Sequence, residues 1–116
     1  MSDLPSEALP GSGAVLAAVF ATVESRKRLL PPNSYVASLL RKGTDAIACK
    51  VAEESGEVIK AARDQSKEQF TKELCDLFFH AFVLMADKDV SLTHLETELG
   101  RRHGISGLDE KAGRKK

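Results

Sequence analysis

The chain is predicted to be all-helical, and three observations predict it. Aromatic residues make up only 5% of the 116 residues, with no tryptophan, and runs of β-branched residues are scarce. Apolar residues recur at helical spacing along most of the chain, as in Val15, Leu16, Val19, Phe20 and Val23. Proline, glycine and small polar residues fall where helices would start and stop. A hydrophobic content of 42% and a charged content of 29% fit one ordinary globular domain.

Residues 1–12, with two prolines and a glycine, read as a flexible N-terminal arm. The helical domain is expected over residues 13–104. Its first helix starts at Gly13 and runs to about Arg28, because Pro31-Pro32 disfavours helix at the preceding residue. Asn33 or Ser34 caps a second helix through Tyr35, Val36, Leu39 and Leu40, which Gly43 ends. Thr44 is expected to cap a third helix, with Asp45 in its first turn and Arg63 near its end. Ser66 and Gln69 suggest a capping box for a fourth helix, ending near Asp87. Ser91 caps a fifth, with Leu92, Leu95 and Leu99 on one face, stopping at Gly104. Residues 105–116 form a basic tail, expected to be loose or docked on a partner subunit.

Two acidic stretches stand out. Glu53-Glu54-Ser55-Gly56-Glu57 lies in the third helix, and Glu73-Leu74-Cys75-Asp76 in the fourth. Residues three and four apart share a helix face, so Glu54 pairs with Glu57, and Glu73 with Asp76. Glu54 falls inside the apolar stripe Ile47, Val51, Val58, Ala62. Asp76 and His80 are the only strongly polar residues in the run from Leu74 to Ala86, which is apolar in almost every direction and so expected to be buried. A short connection makes the two helices antiparallel neighbours. Four carboxylates would then converge, and crowded carboxylates require a counter-charge. A divalent cation with oxygen ligands, Mg2+ foremost, meets that need. Salt bridges across a bundle are the bland alternative. The fourth helix is apolar on more faces than one small bundle covers, which argues for a homodimer or larger assembly. Gly56, costing about 1 kcal/mol against alanine inside a helix, would admit close approach of another helix or a ligand.

Several classes are disfavoured. A formal net charge of zero gives no sign of a nucleic-acid binder. No apolar run is long enough for a membrane span, and the acidic N-terminus does not resemble a signal peptide. Cys49 and Cys75, without CxxC spacing and inside expected helices, read as reduced core thiols of a cytoplasmic protein.

The pattern EExxE, fifteen residues, then ExxD resembles the signature of the all-α, MazG-like NTP pyrophosphatases. Within that superfamily, four stretches resemble the phosphoribosyl-ATP pyrophosphatase family: Ser34-Tyr35 with Leu39-Leu40, Lys50 to Glu54, Glu73 to His80, and Arg101 to Gly107. Cys75 and Phe79 depart from the family's usual alanine and tyrosine. The resemblance covers residues 13 to 112. It implies Mg2+-dependent hydrolysis of 1-(5-phospho-β-D-ribosyl)-ATP to the AMP compound and pyrophosphate, the second step of L-histidine biosynthesis. In some organisms the enzyme is fused to the cyclohydrolase of the next step; without room for that domain or its metal-ligand cysteines, this chain is expected to be the free-standing form. Glu54, Glu57, Glu73 and Asp76 would be the metal ligands. Glu53 would hold a metal-bound water or act as base. His80 would orient a carboxylate or contact phosphate, or else be a hydrogen-bonded core histidine. Lys50 is placed to pair with the acids or reach a phosphate; Arg101 and Arg102 would contact the substrate's phosphates, or else form a helix-end charge run favoured by the dipole. A house-cleaning NTP pyrophosphatase shares the acidic motif but has no need of the RRHGxSG tail. A non-enzymatic helical dimerisation module is the third reading.

Overall fold

A computed structural model describes residues 13–103. They form five helices: α1 (Ala14–Leu29), α2 (Tyr35–Lys42), α3 (Thr44–Asp64), α4 (Lys67–Asp87) and α5 (Leu92–Arg102). No strand occurs among the described residues. The fold is all-α. The expected arm over 1–12, the expected tail over 105–116 and the expected stop at Gly104 lie outside the described residues.

Local chemistry sets most of the helix ends. Ser34, Ser66 and Ser91 are N-caps in extended conformation, each accepting a backbone N–H three residues on. Of Asn33 and Ser34, it is Ser34 that caps. Thr44 does not cap α3. Gly43 holds that position with φ 100°, while the Thr44 hydroxyl donates to Asp87 Oδ2 at 2.6 Å and ties the start of α3 to the end of α4. Gln69 does not complete a capping box either. Its side-chain amide donates to Glu73 Oε1 at 3.1 Å. The reciprocal box occurs instead at α5, where the backbone N–H of Ser91 donates to His94 Nδ1. α1 stops at Leu29, and Leu30 ahead of Pro31 turns left-handed with φ 45°.

Only Gln65 and Ser66 separate α3 from α4, so these 21-residue helices run antiparallel and pack along each other. α1 and α2 pack across the same pair. The core gathers Phe20 and Val23 from α1, Val36 and Leu39 from α2, Ile47 from α3, and Phe82, Val83 and Ala86 from α4. Phe20 and Phe82 meet edge to face at 5.4 Å and 89°, a geometry contributing about 0.5–1.5 kcal/mol beyond the area it buries. Lys27 fastens α1 to the end of α4 by donating to the Ala86 carbonyl at 2.7 Å and pairing with Asp89.

Burial corrects three expectations. Only the second half of α4 is enclosed. Asp76 and Cys75 are exposed, and Phe78 keeps 48% of its surface accessible. Cys49 and Cys75 are thus free surface thiols of the single chain rather than core residues. On α3 the inner stripe is Ile47, Val51, Val58 and the buried Ala61, with Ala62 exposed. The reason is common to all three: α1 and α2 cover one side of the α3–α4 hairpin, and the described chain has nothing to lay over the other. No helix is long and apolar enough to cross a membrane among the described residues.

Candidate active site

The α3–α4 pair places three carboxylates together. Glu54 comes from α3, and Glu73 and Asp76 come from successive turns of α4. Each offers a carboxylate oxygen within 4.8 Å of the others. Glu54 and Glu73 are half-buried and Asp76 is exposed. Among the described residues, none of the three forms a salt bridge with lysine or arginine. The neighbouring contact to Glu73 is the neutral amide of Gln69. Three like charges so close, partly withdrawn from water and lacking a cationic side chain, fit the requirements of a hard divalent cation.

Other residues picked out in the sequence lie elsewhere. Glu57 is exposed and lies outside the three-carboxylate group. Glu53 is exposed and pairs with Lys50, Nζ to Oε2 at 3.2 Å. That hydrogen bond and charge raise the Lys50 ammonium above its ordinary value, with smaller contributions from Tyr35 and Glu54. Lys50 is therefore occupied by Glu53 rather than by the three clustered acids. Arg101 and Arg102 both engage Glu98, at 2.7 and 3.0 Å. Their hydrogen bonds, Arg101's first, pull the Glu98 carboxyl down to about 2.

A cleft of about 890 Å³ opens beside the acids. Glu54, Asp76 and His80 line it, together with the apolar Val19, Val23 and Phe79 and the half-exposed Tyr35. Lys50, Glu53, Arg101 and Arg102 do not. His80 is 7% exposed, and both its ring nitrogens are engaged. Nδ1 lies 2.8 Å from the Asp76 carbonyl one turn back, and Nε2 lies 2.8 Å from the Tyr35 hydroxyl. An imidazole so occupied positions its neighbours. It has no nitrogen left for a phosphate. Spacing could not show the Tyr35–His80 pair, because 45 residues separate the two. The one signal was that Tyr35 is the chain's single tyrosine, set directly after a cap.

A profile of the phosphoribosyl-ATP pyrophosphohydrolase family matches residues 16–103, which spans all three clustered carboxylates and the whole cleft. The chain belongs to this family. Proteins named phosphoribosyl-ATP pyrophosphatase are similar over most of their length. Those of Chromobacterium violaceum and of an Azoarcus species are each 48% identical over 101 residues, covering 87% of this chain and 94% of theirs. That of Nitrosospira multiformis is 48% identical over 94 residues, 81% of this chain and 78% of its own. As a member of the phosphoribosyl-ATP pyrophosphohydrolase family the chain is a hydrolase, and its carboxylates lie on the helix pair at the centre of the matched region.

Proposed function

We propose that this enzyme hydrolyses 1-(5-phospho-β-D-ribosyl)-ATP to 1-(5-phospho-β-D-ribosyl)-AMP and pyrophosphate in a Mg2+-dependent reaction, the second step of L-histidine biosynthesis, in the cytoplasm. The observation that carries the reading is the three-carboxylate cluster at the edge of a nucleotide-sized cleft, in a chain whose similar relatives bear the name of that activity.

Breaking a phosphoanhydride calls for positioning and charge neutralisation more than for covalent chemistry. Glu54, Glu73 and Asp76 would hold the metal, which when bound neutralises phosphate charge and supplies a Lewis acid. The protein's own residues do the rest. Gln69 restrains Glu73 by donating to one of its oxygens. His80 donates to the Asp76 carbonyl and steadies the turn of α4 that carries the aspartate. Glu53, beside Glu54 but outside the cleft and paired with Lys50, would take a proton from the attacking water only by turning away from Lys50. Arg101 and Arg102 would reach the substrate's phosphates only by sharing their charge with Glu98.

A homodimer completes the reading. Phe78 on α4 and Ile59 on α3 are 48% and 57% exposed, and they lie on the hairpin that α1 and α2 leave partly uncovered. Large apolar side chains exposed on one hairpin are characteristic of an interface. Phe78→Asp is expected to convert the dimer to monomer in sedimentation velocity. A wild-type chain already monomeric at micromolar concentration would refute it.

The reaction is tested by pyrophosphate release with magnesium from phosphoribosyl-ATP, ATP and dUTP. Turnover of phosphoribosyl-ATP alone, abolished by EDTA, is the expected result. Turnover of ordinary NTPs would instead assign the chain to the house-cleaning pyrophosphatases, and no turnover at all would leave the cluster as structure.

A further inference from the structure

We propose that Tyr35 is a specificity-determining residue that accepts a hydrogen bond from the N–H at position 6 of the substrate's purine, and so selects a 6-amino or 6-imino base over a 6-oxo base. The proposal rests on the hydrolysis proposed above and deepens it.

Donor and acceptor roles follow from the pairing. The Asp76 carbonyl only accepts, so the His80 nitrogen 2.8 Å from it, Nδ1, carries a proton. In the neutral imidazole Nε2 is then an acceptor, and the Tyr35 hydroxyl 2.8 Å away donates to it. A phenol has one proton. Once that is committed to His80, the Tyr35 oxygen offers the cleft lone pairs only. Its ring is held on two sides. It stacks on Phe79 at 6.3 Å and 17°, and meets His80 edge to face at 5.7 Å and 85°. Tyr35 is therefore a fixed acceptor, half-exposed and lining the cleft.

The cleft has the volume of a small-molecule site, and its lining divides by chemistry. Glu54 and Asp76 suit the cation that accompanies a polyphosphate. Val19, Leu29, Pro31 and Phe79, the accessible apolar part of the lining, suit the flat faces of a base. A purine lying on the apolar lining brings its edge to Tyr35. An adenine substituted at N1 keeps hydrogen on its exocyclic nitrogen in both its amino and imino forms. A 6-oxo purine presents a lone pair there, and two facing acceptors repel. His80 acts through Tyr35 as a positioning residue, by taking the phenol proton.

The test compares kcat/KM for phosphoribosyl-ATP with that for its 6-oxo counterpart, phosphoribosyl-ITP, in the wild type and in Tyr35→Phe. The variant keeps the ring and its stacking, and far-UV circular dichroism checks its helices. The wild type is expected to prefer phosphoribosyl-ATP, and Tyr35→Phe to lower that preference about tenfold, chiefly through KM for phosphoribosyl-ATP. His80→Leu, which releases the phenol proton, is expected to lower the preference as well. A preference unchanged in Tyr35→Phe overturns the proposal, even if both activities fall together. A wild type that turns over both compounds equally also overturns it while leaving the hydrolysis standing. A wild type that hydrolyses neither overturns the reaction itself, and this inference with it.

Discussion

Two acidic groups in this molecule look alike in sequence and differ in kind. At Glu98, on α5, two arginines close on one carboxylate, and the charges cancel with an excess of cation. At Glu54, Glu73 and Asp76, three carboxylates face one another across two helices, and no lysine or arginine among the described residues bridges to them. The first arrangement is explained by its own members: i,i+3 and i,i+4 pairs at the basic end of a helix. The second is not, since like charges within 4.8 Å destabilise the fold that holds them. The contrast teaches where to look for a ligand. A compensated cluster accounts for itself, and an uncompensated one points to a partner outside the chain.

The largest effect should come from neutralising the uncompensated group. Glu54→Gln and Asp76→Asn are each expected to reduce kcat/KM by about a hundredfold or more. In EDTA the same changes should raise the thermal midpoint, because repulsion is relieved. A variant that keeps wild-type activity would erase the distinction between the clusters.

A smaller effect belongs to Glu98. Its folded pKa of about 2 lies below the ordinary 4.5, so the carboxylate contributes stability above pH 4.5 and that contribution disappears as the pH falls towards 2. Urea titrations of wild type and Glu98→Gln should therefore converge at the acid end of this window. The difference above it should be modest and shrink in high salt, because the pair is solvent-exposed. A difference that persists below pH 2 would show that packing, not charge, sets the value of this residue.

The smallest effect sharpens the question of what covers the α3–α4 hairpin. A Cβ at Gly56 would meet nothing within 4 Å in the described chain, so close approach to Gly56 is not made within it. Gly56→Ala should stabilise the protein by about 0.5–1 kcal/mol in chemical denaturation. A loss of stability instead would place another chain against that turn.

Much of this was legible in the sequence, for physical reasons that can be named. Helices with strong apolar periodicity and serine caps announce themselves, because both signals are local. The pairing of α3 with α4 was legible because a two-residue connection leaves no other geometry. Glu54 stands out as an acid on an apolar stripe, and Glu73 and Asp76 by their i,i+3 spacing; the burial expected for Asp76 is not found. Other features depend on distances that spacing does not encode. Its spacing suggests Thr44 as a cap, but Gly43 takes the positive φ and leaves the threonine hydroxyl for Asp87. Glu57 was grouped with Glu54 by the i,i+3 rule, yet it lies outside the group of oxygens that meet. His80 read as a catalytic candidate because its two partners, one of them on α2, could not be seen along the chain. Position within helices suggests Cys49 and Cys75 as core residues, but each lies on a face that the described chain leaves open.

The two-residue link between α3 and α4 also has a kinetic consequence. Contacts between neighbouring helices close small loops, and such contacts form early when a chain folds. Glu54 and Glu73 lie on opposite arms of this one hairpin, so their repulsion is met at the first step of assembly rather than the last. Divalent cations present during refolding would then raise the folding rate itself. An ion that merely settled on the finished protein would instead leave that rate unchanged and slow only unfolding.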